Sequence, residues 1–256
     1  MRPADELRTV VEEYLGALSF APDLGSLAEV VRYPLEAGGK RIRPVLCLAV
    51  AESAGGSVDE ALPAAAALEL VHTFSLVHDD LPALDDDEER RGRPSAHVAF
   101  GEGVALLAGD ALLAEALRLA LAYESNSVAR ELVDAALGMI GGQFRDITGD
   151  DSDLAAVHRL KTGRLFLAGV RLGLDVAGVP SAERAPWLSF GNEVGLLFQV
   201  VDDLLDGDGY VERLGADAAE RLAYESAERA RAHLDRVNAD TSVLRELVDV
   251  LAVRTG

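Results

Sequence analysis

Apolar residues recur at helical spacing over most of the chain, and no segment sustains apolar/polar alternation at a period of two. Residues 5–17 put Leu7, Val10, Val11, Tyr14 and Leu15 on one face and predict a first helix. A loop at 22–25 leads into a helical segment at 26–35, and Pro44 opens another over 44–54. Residues 64–78 form an apolar helix without a breaker, 101–123 read as a helix or a broken pair, and 128–148 as a further helix. A polar turn at 149–153 precedes 154–178, where Lys161-Thr162-Gly163 interrupts an otherwise apolar helix. In 187–206, Phe190, Val194, Leu197 and Val201 make an apolar stripe. Residues 216–238 and 241–253 supply the last two helices, and no repeat or low-complexity stretch occurs. The pattern predicts an all-α fold in one domain spanning 1–256.

The polar residues that break this pattern are concentrated at two helix ends. The apolar run at 64–78 meets seven carboxylates in eleven residues: Asp79, Asp80, Asp85, Asp86, Asp87, Glu88 and Glu89, followed by Arg90, Arg91 and Arg93. An acidic run is more often a solvated loop than a site. Here His72, Ser75 and Asp79 stand at i, i+3 and i+7, so a polar face leads to the acids. Far downstream, Gln199, Asp202, Asp203 and Asp206 fall within roughly 100° of arc on one helix. Carboxylates without thiolates and with few imidazoles suit a hard cation, Mg²⁺ before Ca²⁺ or Zn²⁺, whose shell is completed by water and phosphate. By itself DDLLD is a weak signal in so acidic a chain.

Composition narrows the picture further. The 44 acids against 24 bases give a formal charge of −20, which disfavours nucleic acid as a partner. The one cysteine, Cys47, lies in an apolar run and excludes an intrachain disulfide. No signal-peptide core opens the chain. The longest apolar tract, 104–123, is interrupted by Asp110, Glu115 and Arg118 and is not read as a membrane span, so a cytoplasmic location is expected. Lysine occurs twice only, at Lys40 and Lys161. Lys40 and Arg43 follow Gly38-Gly39 in a basic turn able to present both to an anion.

GGKRIRP, HTFSLVHDDLPALDDDEERRGRPSAH, AGDALL, GGQFRD, LKTG and GLLFQVVDDLLD occur in this order. Together they resemble the short-chain trans-isoprenyl diphosphate synthases, among them the farnesyl and geranylgeranyl diphosphate synthases. The resemblance implies a bundle of long antiparallel helices around a central apolar cavity, with the aspartate motifs facing each other at its mouth. It implies that Asp79, Asp80 and Asp85 hold Mg²⁺ from one side and Asp202, supported by Asp203 and Asp206, from the other, around a trio of ions. Asp79 and Asp85 are six apart, so Pro82 must help break the helix for both to reach metal.

By the same likeness Arg90, Lys161, Thr162 and Gln199 bind the diphosphate of an allylic substrate. Lys40, Arg43, His72 and Arg91 bind that of isopentenyl diphosphate. The implied reaction is ionisation of the allylic C–O bond, attack by the isopentenyl double bond and loss of a proton. A homodimer is the expected assembly. Phe74, five residues before Asp79 and about 7.5 Å along the helix, resembles the floor that limits the product to farnesyl diphosphate, with Val71 or Ala114 as alternative floors. Other readings are a geranylgeranyl product, a non-catalytic subunit of the same fold, and a terpene cyclase. The two complete aspartate motifs argue against the last two. One departure stands out: the lysine-bearing loop that usually follows the second motif is here the shorter, lysine-free GYVERLGADAAERLAY, with Arg213 and Arg221 as nearest replacements.

Overall fold

The computed structural model describes residues 1–149 and 153–253. The polar turn expected at 149–153 therefore lies mostly outside the described residues. The helices are α1 (Ala4–Ala17), α2 (Leu27–Glu36), α3 (Ile42–Ser53) and α4 (Val58–Asp79), then α5 (Ala96–Phe100), α6 (Glu102–Ala120) and α7 (Ser127–Thr148). After the undescribed residues come α8 (Leu154–His158), a π-helical turn (Arg159–Gly163) and α9 (Arg164–Val176). The chain ends with α10 (Ala185–Asp206), α11 (Tyr210–Leu214), α12 (Ala216–Leu234) and α13 (Ser242–Ala252). The fold is an all-α bundle whose core runs without a break from Leu7 to Leu251.

Helix α4 is the axis. Its stretch 64–71 is buried all round, with relative exposures of 0–2%, which only a helix surrounded by others can sustain. α6, α3 and α9 pack around it. The helix begins six residues earlier than the breaker-free run predicts. Ser57 caps it by accepting from the Glu60 N–H, and Asp59 and Glu60 favour the positive end of the dipole. Pro63 then sits inside the helix, where proline normally costs backbone hydrogen bonding. The Tyr123 hydroxyl compensates: it accepts from the Ala64 N–H at 3.1 Å and donates to the Glu60 carbonyl at 2.6 Å. Val58–Asp79 is also the one helix, among the described residues, long and apolar enough to cross a membrane, and two thirds of its most apolar window is buried in the core.

Past Asp79 the chain turns sharply. The Asp85 N–H donates to the Asp79 carbonyl at 2.8 Å and the Asp86 N–H to that of Leu81 at 3.2 Å, with Pro82 exposed in the bend. This folding-back brings Asp85 beside Asp79, as their spacing requires. A short hairpin follows, β1 (Glu89–Arg90) paired with β2 (Arg93–Pro94). Arg91 and Gly92 both take positive φ at its tip, 56° and 75°, the conformation of a two-residue hairpin turn with primed geometry.

Candidate active site

Two cavities meet beside α4. The first, about 350 Å³, lies between α4, α7 and the π turn; Phe74, Asp79, Gln143, Phe144, Lys161 and Thr162 are among its lining. His72 and Ser75 join Asp79 there, so the polar face inferred from their spacing does line a cavity. The second, about 470 Å³, is a basic cleft walled by Lys40, Arg43, His72 and Arg91, with Arg41, Glu69 and Asp202 also in its lining. Arg43 and His72 belong to both.

That shared wall is rigidly built. The Arg43 guanidinium lies over the rings of Phe166 and Phe198, 4.7 and 5.2 Å from their centroids. Burial lowers its pKa to about 10, which leaves it charged at neutral pH. Burial and the neighbouring arginines push His72 well below the ordinary histidine range. Neutral His72 can therefore accept from Arg43 through Nε2, 3.3 Å away.

The glycine pair before Lys40 also has a defined use. The Arg91 guanidinium crosses Gly39 and donates to the Gly38 carbonyl. A Cβ on Gly39 would stand 2.6 Å from Arg91 Nη1. Hairpin and basic turn thus lock together, bringing Arg91 to Lys40 and Arg43. Arg41 between them is a structural residue: buried, at φ 49°, it pairs with Glu12 at 2.9 Å and Glu69 at 2.6 Å.

Lys161 and Thr162 reach the first cavity through the π turn. A wide turn needs room on both sides, and two glycines supply it. A Cβ on Gly142 of α7 would lie 2.5 Å from the Lys161 backbone nitrogen, and one on Gly195 of α10 would lie 3.0 Å from Gly163 Cα. Lys161 pairs with Asp146, joining GGQFRD to LKTG.

The expected site residues divide. Asp79 faces the first cavity and Asp202 the second, whereas Asp85 and Asp206 are exposed at the helix ends. Asp80 and Asp203 are buried, each 3% exposed, and each is engaged internally. Asp80 accepts from Arg90 Nε at 2.9 Å. Asp203 accepts from Gln199 Nε2 at 2.6 Å and from the Tyr210 N–H at 2.8 Å, with His158 Nδ1 at 3.8 Å. Arg90 and Gln199 line neither of these two cavities. Arg90 also holds Asp87 at 2.8 Å, and Gln199 lines a separate cleft with His158 and Tyr210. Arg213 and Arg221 are exposed on α11 and α12 and line neither cavity. Of the proposed floors, Phe74 lines the first cavity, Val71 is wholly enclosed in core and Ala114 is exposed on α6.

Sequence reasoning missed Glu69, His158 and Tyr210. A carboxylate three residues before His72, inside the apolar run, was the one available signal, and it pointed to Glu69.

Among the described residues, no three His, Cys, Asp or Glu side chains converge closely enough to hold an ion by themselves. The surviving donors nevertheless suit a hard cation shared with a phosphate ligand. Burial, then Asp85 and Asp80, raise the Asp79 pKa to about 6, while Lys161 opposes the shift. Burial, then Asp206, raise that of Asp202. Two carboxylates destabilised as anions in this way are what a bound divalent cation would relieve.

The polyprenyl synthetase profile matches residues 25–224, which contain the basic turn, both aspartate motifs and the π turn. The chain belongs to the polyprenyl synthetase family. It is 39% identical over 238 residues to the geranylgeranyl diphosphate synthase of Cyanophora paradoxa, a match spanning 87% of this chain and 79% of that protein. It is 38% identical over 228 residues to the farnesyl diphosphate synthase of Bacillus subtilis (strain 168), spanning 83% and 77%. The solved geranyltransferase of Legionella pneumophila superposes with a TM-score of 0.85 at 31% identity, covering 98% of this chain and 96% of that one. This polyprenyl synthetase is accordingly a prenyltransferase of a family that acts on isoprenyl diphosphates.

Proposed function

We propose that the chain, acting as one unit over 1–256, joins isopentenyl diphosphate head-to-tail to dimethylallyl or geranyl diphosphate and makes mainly farnesyl diphosphate. The carrying observation is the pair of cavities that share Arg43 and His72. The allylic chain lies in the first, against Phe74, with its diphosphate toward Lys161 and Thr162. Isopentenyl diphosphate lies in the basic cleft, its diphosphate on Lys40, Arg43 and Arg91. The shared wall then puts the isopentenyl double bond beside the allylic C1, and the apolar lining keeps water from the allylic cation. Asp79, Asp85, Asp202 and Asp206 would hold Mg²⁺, which when bound supplies positive charge to the departing diphosphate. In this reading Asp80 and Asp203 position the motifs and do not ligate metal. Arg90 acts through Asp80, and Gln199 through Asp203.

A second product, geranylgeranyl diphosphate, is favoured by one feature: Ile140, Phe144 and Ile147 line the first cavity yet are 48–61% exposed, so that wall can yield. Leu137 continues this exposed stripe on α7, and Leu106 and Leu107 are exposed on α6. Such a surface suits a second copy of the chain.

Incubation with isopentenyl diphosphate and each of dimethylallyl, geranyl and farnesyl diphosphate, with product length read by chromatography, tests the reading. Farnesyl diphosphate should dominate, and Phe74→Ala should move the product to geranylgeranyl diphosphate or longer, because a buried ring is the obstacle removed. Mostly geranylgeranyl product from the unmodified chain, or an unchanged product from Phe74→Ala, would put the floor elsewhere.

A further inference from the structure

Glu69 is a carboxylate in the wall of the basic cleft that the proposed reaction leaves unused. It sits on α4 three residues before His72 and is 2% exposed. Oε1 accepts from Arg41 Nη1 at 2.6 Å, while Oε2 is buried with no hydrogen-bond partner. Arg41 already has a carboxylate of its own, since Glu12 takes its Nε and Nη2 at 2.9 and 3.2 Å. One cation therefore serves two acids, and Glu69 carries negative charge in excess. That charge acts on Arg43 and Arg91, for both of which Glu69 is the leading favourable electrostatic neighbour. Arg43 Nε is likewise buried without a partner.

We propose that Glu69 tunes the cleft, offsetting part of the charge of Lys40, Arg43 and Arg91 so that a diphosphate held there can leave. The proposal rests on the reading of this cleft as the isopentenyl diphosphate site. In head-to-tail condensation the new bond forms at the allylic C1 and the allylic diphosphate departs with the electron pair of its C–O bond. The product keeps the diphosphate that entered with the isopentenyl unit. After each turnover the product is thus anchored in the cleft by its own diphosphate. Anions buried beside several cations dissociate slowly unless a fixed negative charge opposes them.

Glu69→Gln removes the charge and keeps an oxygen for Arg41. Isopentenyl diphosphate should bind this variant about three- to tenfold more tightly in calorimetric titration. Its KM should fall together with kcat, and a product burst should precede the slower steady state. A merely structural Glu69 would instead lower the melting temperature and weaken binding. Glu12→Gln leaves Arg41 to neutralise Glu69 alone and removes a charge that also acts on Arg91, so it should tighten binding in the same direction by a smaller factor. Should Glu69→Gln fail to fold, Glu12→Gln removes the other acid on Arg41 and carries an expectation in the same direction, and unchanged affinity there counts against the proposal. Unchanged or weaker binding in the folded variant overturns the proposal. Lys40→Ala, run in the same titration, separates the two levels. Loss of binding there with no tightening in Glu69→Gln rejects only the tuning role, whereas indifference to Lys40→Ala rejects the cleft assignment and the proposal with it.

Discussion

The two aspartate motifs repeat one plan at the ends of α4 and α10 and differ in how they secure it. In each, the first aspartate borders a cavity, the second is buried at 3% exposure, and the last is exposed. The buried Asp80 is held by a permanent cation, Arg90, delivered by the β1–β2 hairpin. The buried Asp203 is held by neutral donors, the Gln199 amide and the Tyr210 N–H, with His158 nearby. Burial keeps His158 below the ordinary histidine range although Asp203 pulls it upward. A carboxylate can thus be fixed in a helical bundle either by charge or by hydrogen bonds alone, and the two solutions fail differently when disturbed.

The largest test removes what the motifs have in common. Asp79→Ala and Asp202→Ala should each lower kcat by about a thousandfold or more, each lost cation contact being worth several kcal/mol in the transition state. Near-normal turnover in either variant would break the equivalence of the two ends.

A smaller and sharper test concerns the buried members. Asp80→Asn should cost about 2 kcal/mol in chemical denaturation, because it removes the buried counter-ion of the half-buried Arg90 and leaves it only the exposed Asp87. Asp203→Asn leaves an oxygen for one neutral donor and should cost only about 1 kcal/mol. Equal losses would mean that the two anchors are the same in kind.

The last test is of pH. The folded-state pKa of Asp79, about 6, lies above the ordinary carboxylate value of 3.8. The folded chain therefore holds a proton that the unfolded chain has released between these values. Without divalent cations, stability should rise by on the order of 2 kcal/mol through this group as pH falls across that window, and should be lost again as pH rises through 6. Asp79→Asn should flatten that slope in urea titrations at several pH values, and excess Mg²⁺ should reduce it in the unmodified chain. A slope indifferent to both would place the titration elsewhere.

Much of this was legible in the chain because helical periodicity and motif spacing are local signals. The α-only class, the end of α4 at Asp79 and the need for a bend near Pro82 could all be read from order and spacing. The grouping of Lys40, Arg43, His72 and Arg91 came from the family resemblance of the motifs and not from spacing, which joined only Lys40 and Arg43. What could not be read was which of two adjacent aspartates turns inward. Asp79 and Asp80 differ by about 100° on a helix, and only the packing of the hairpin decides that Asp80 meets Arg90. The early start of α4 was hidden for a similar reason. Pro63 signals a break, and the tyrosine that repairs it lies 59 or more residues away.

The π turn at 159–163 amounts to one residue inserted into an otherwise regular helix. Side chains ahead of it are rotated by about 100° relative to a continuous helix built back from α9. Hence His158 can meet Asp203 on one side while Lys161 and Thr162 look into the cavity on the other. A homologue that lost the single codon for Arg159 would keep every motif residue, its hydrophobic pattern and its helical content. It would nonetheless turn either His158 or Lys161 out of register. Divergence of activity among such chains can therefore come from a change in count and not in kind, which a residue-by-residue comparison of the motifs would score as complete identity.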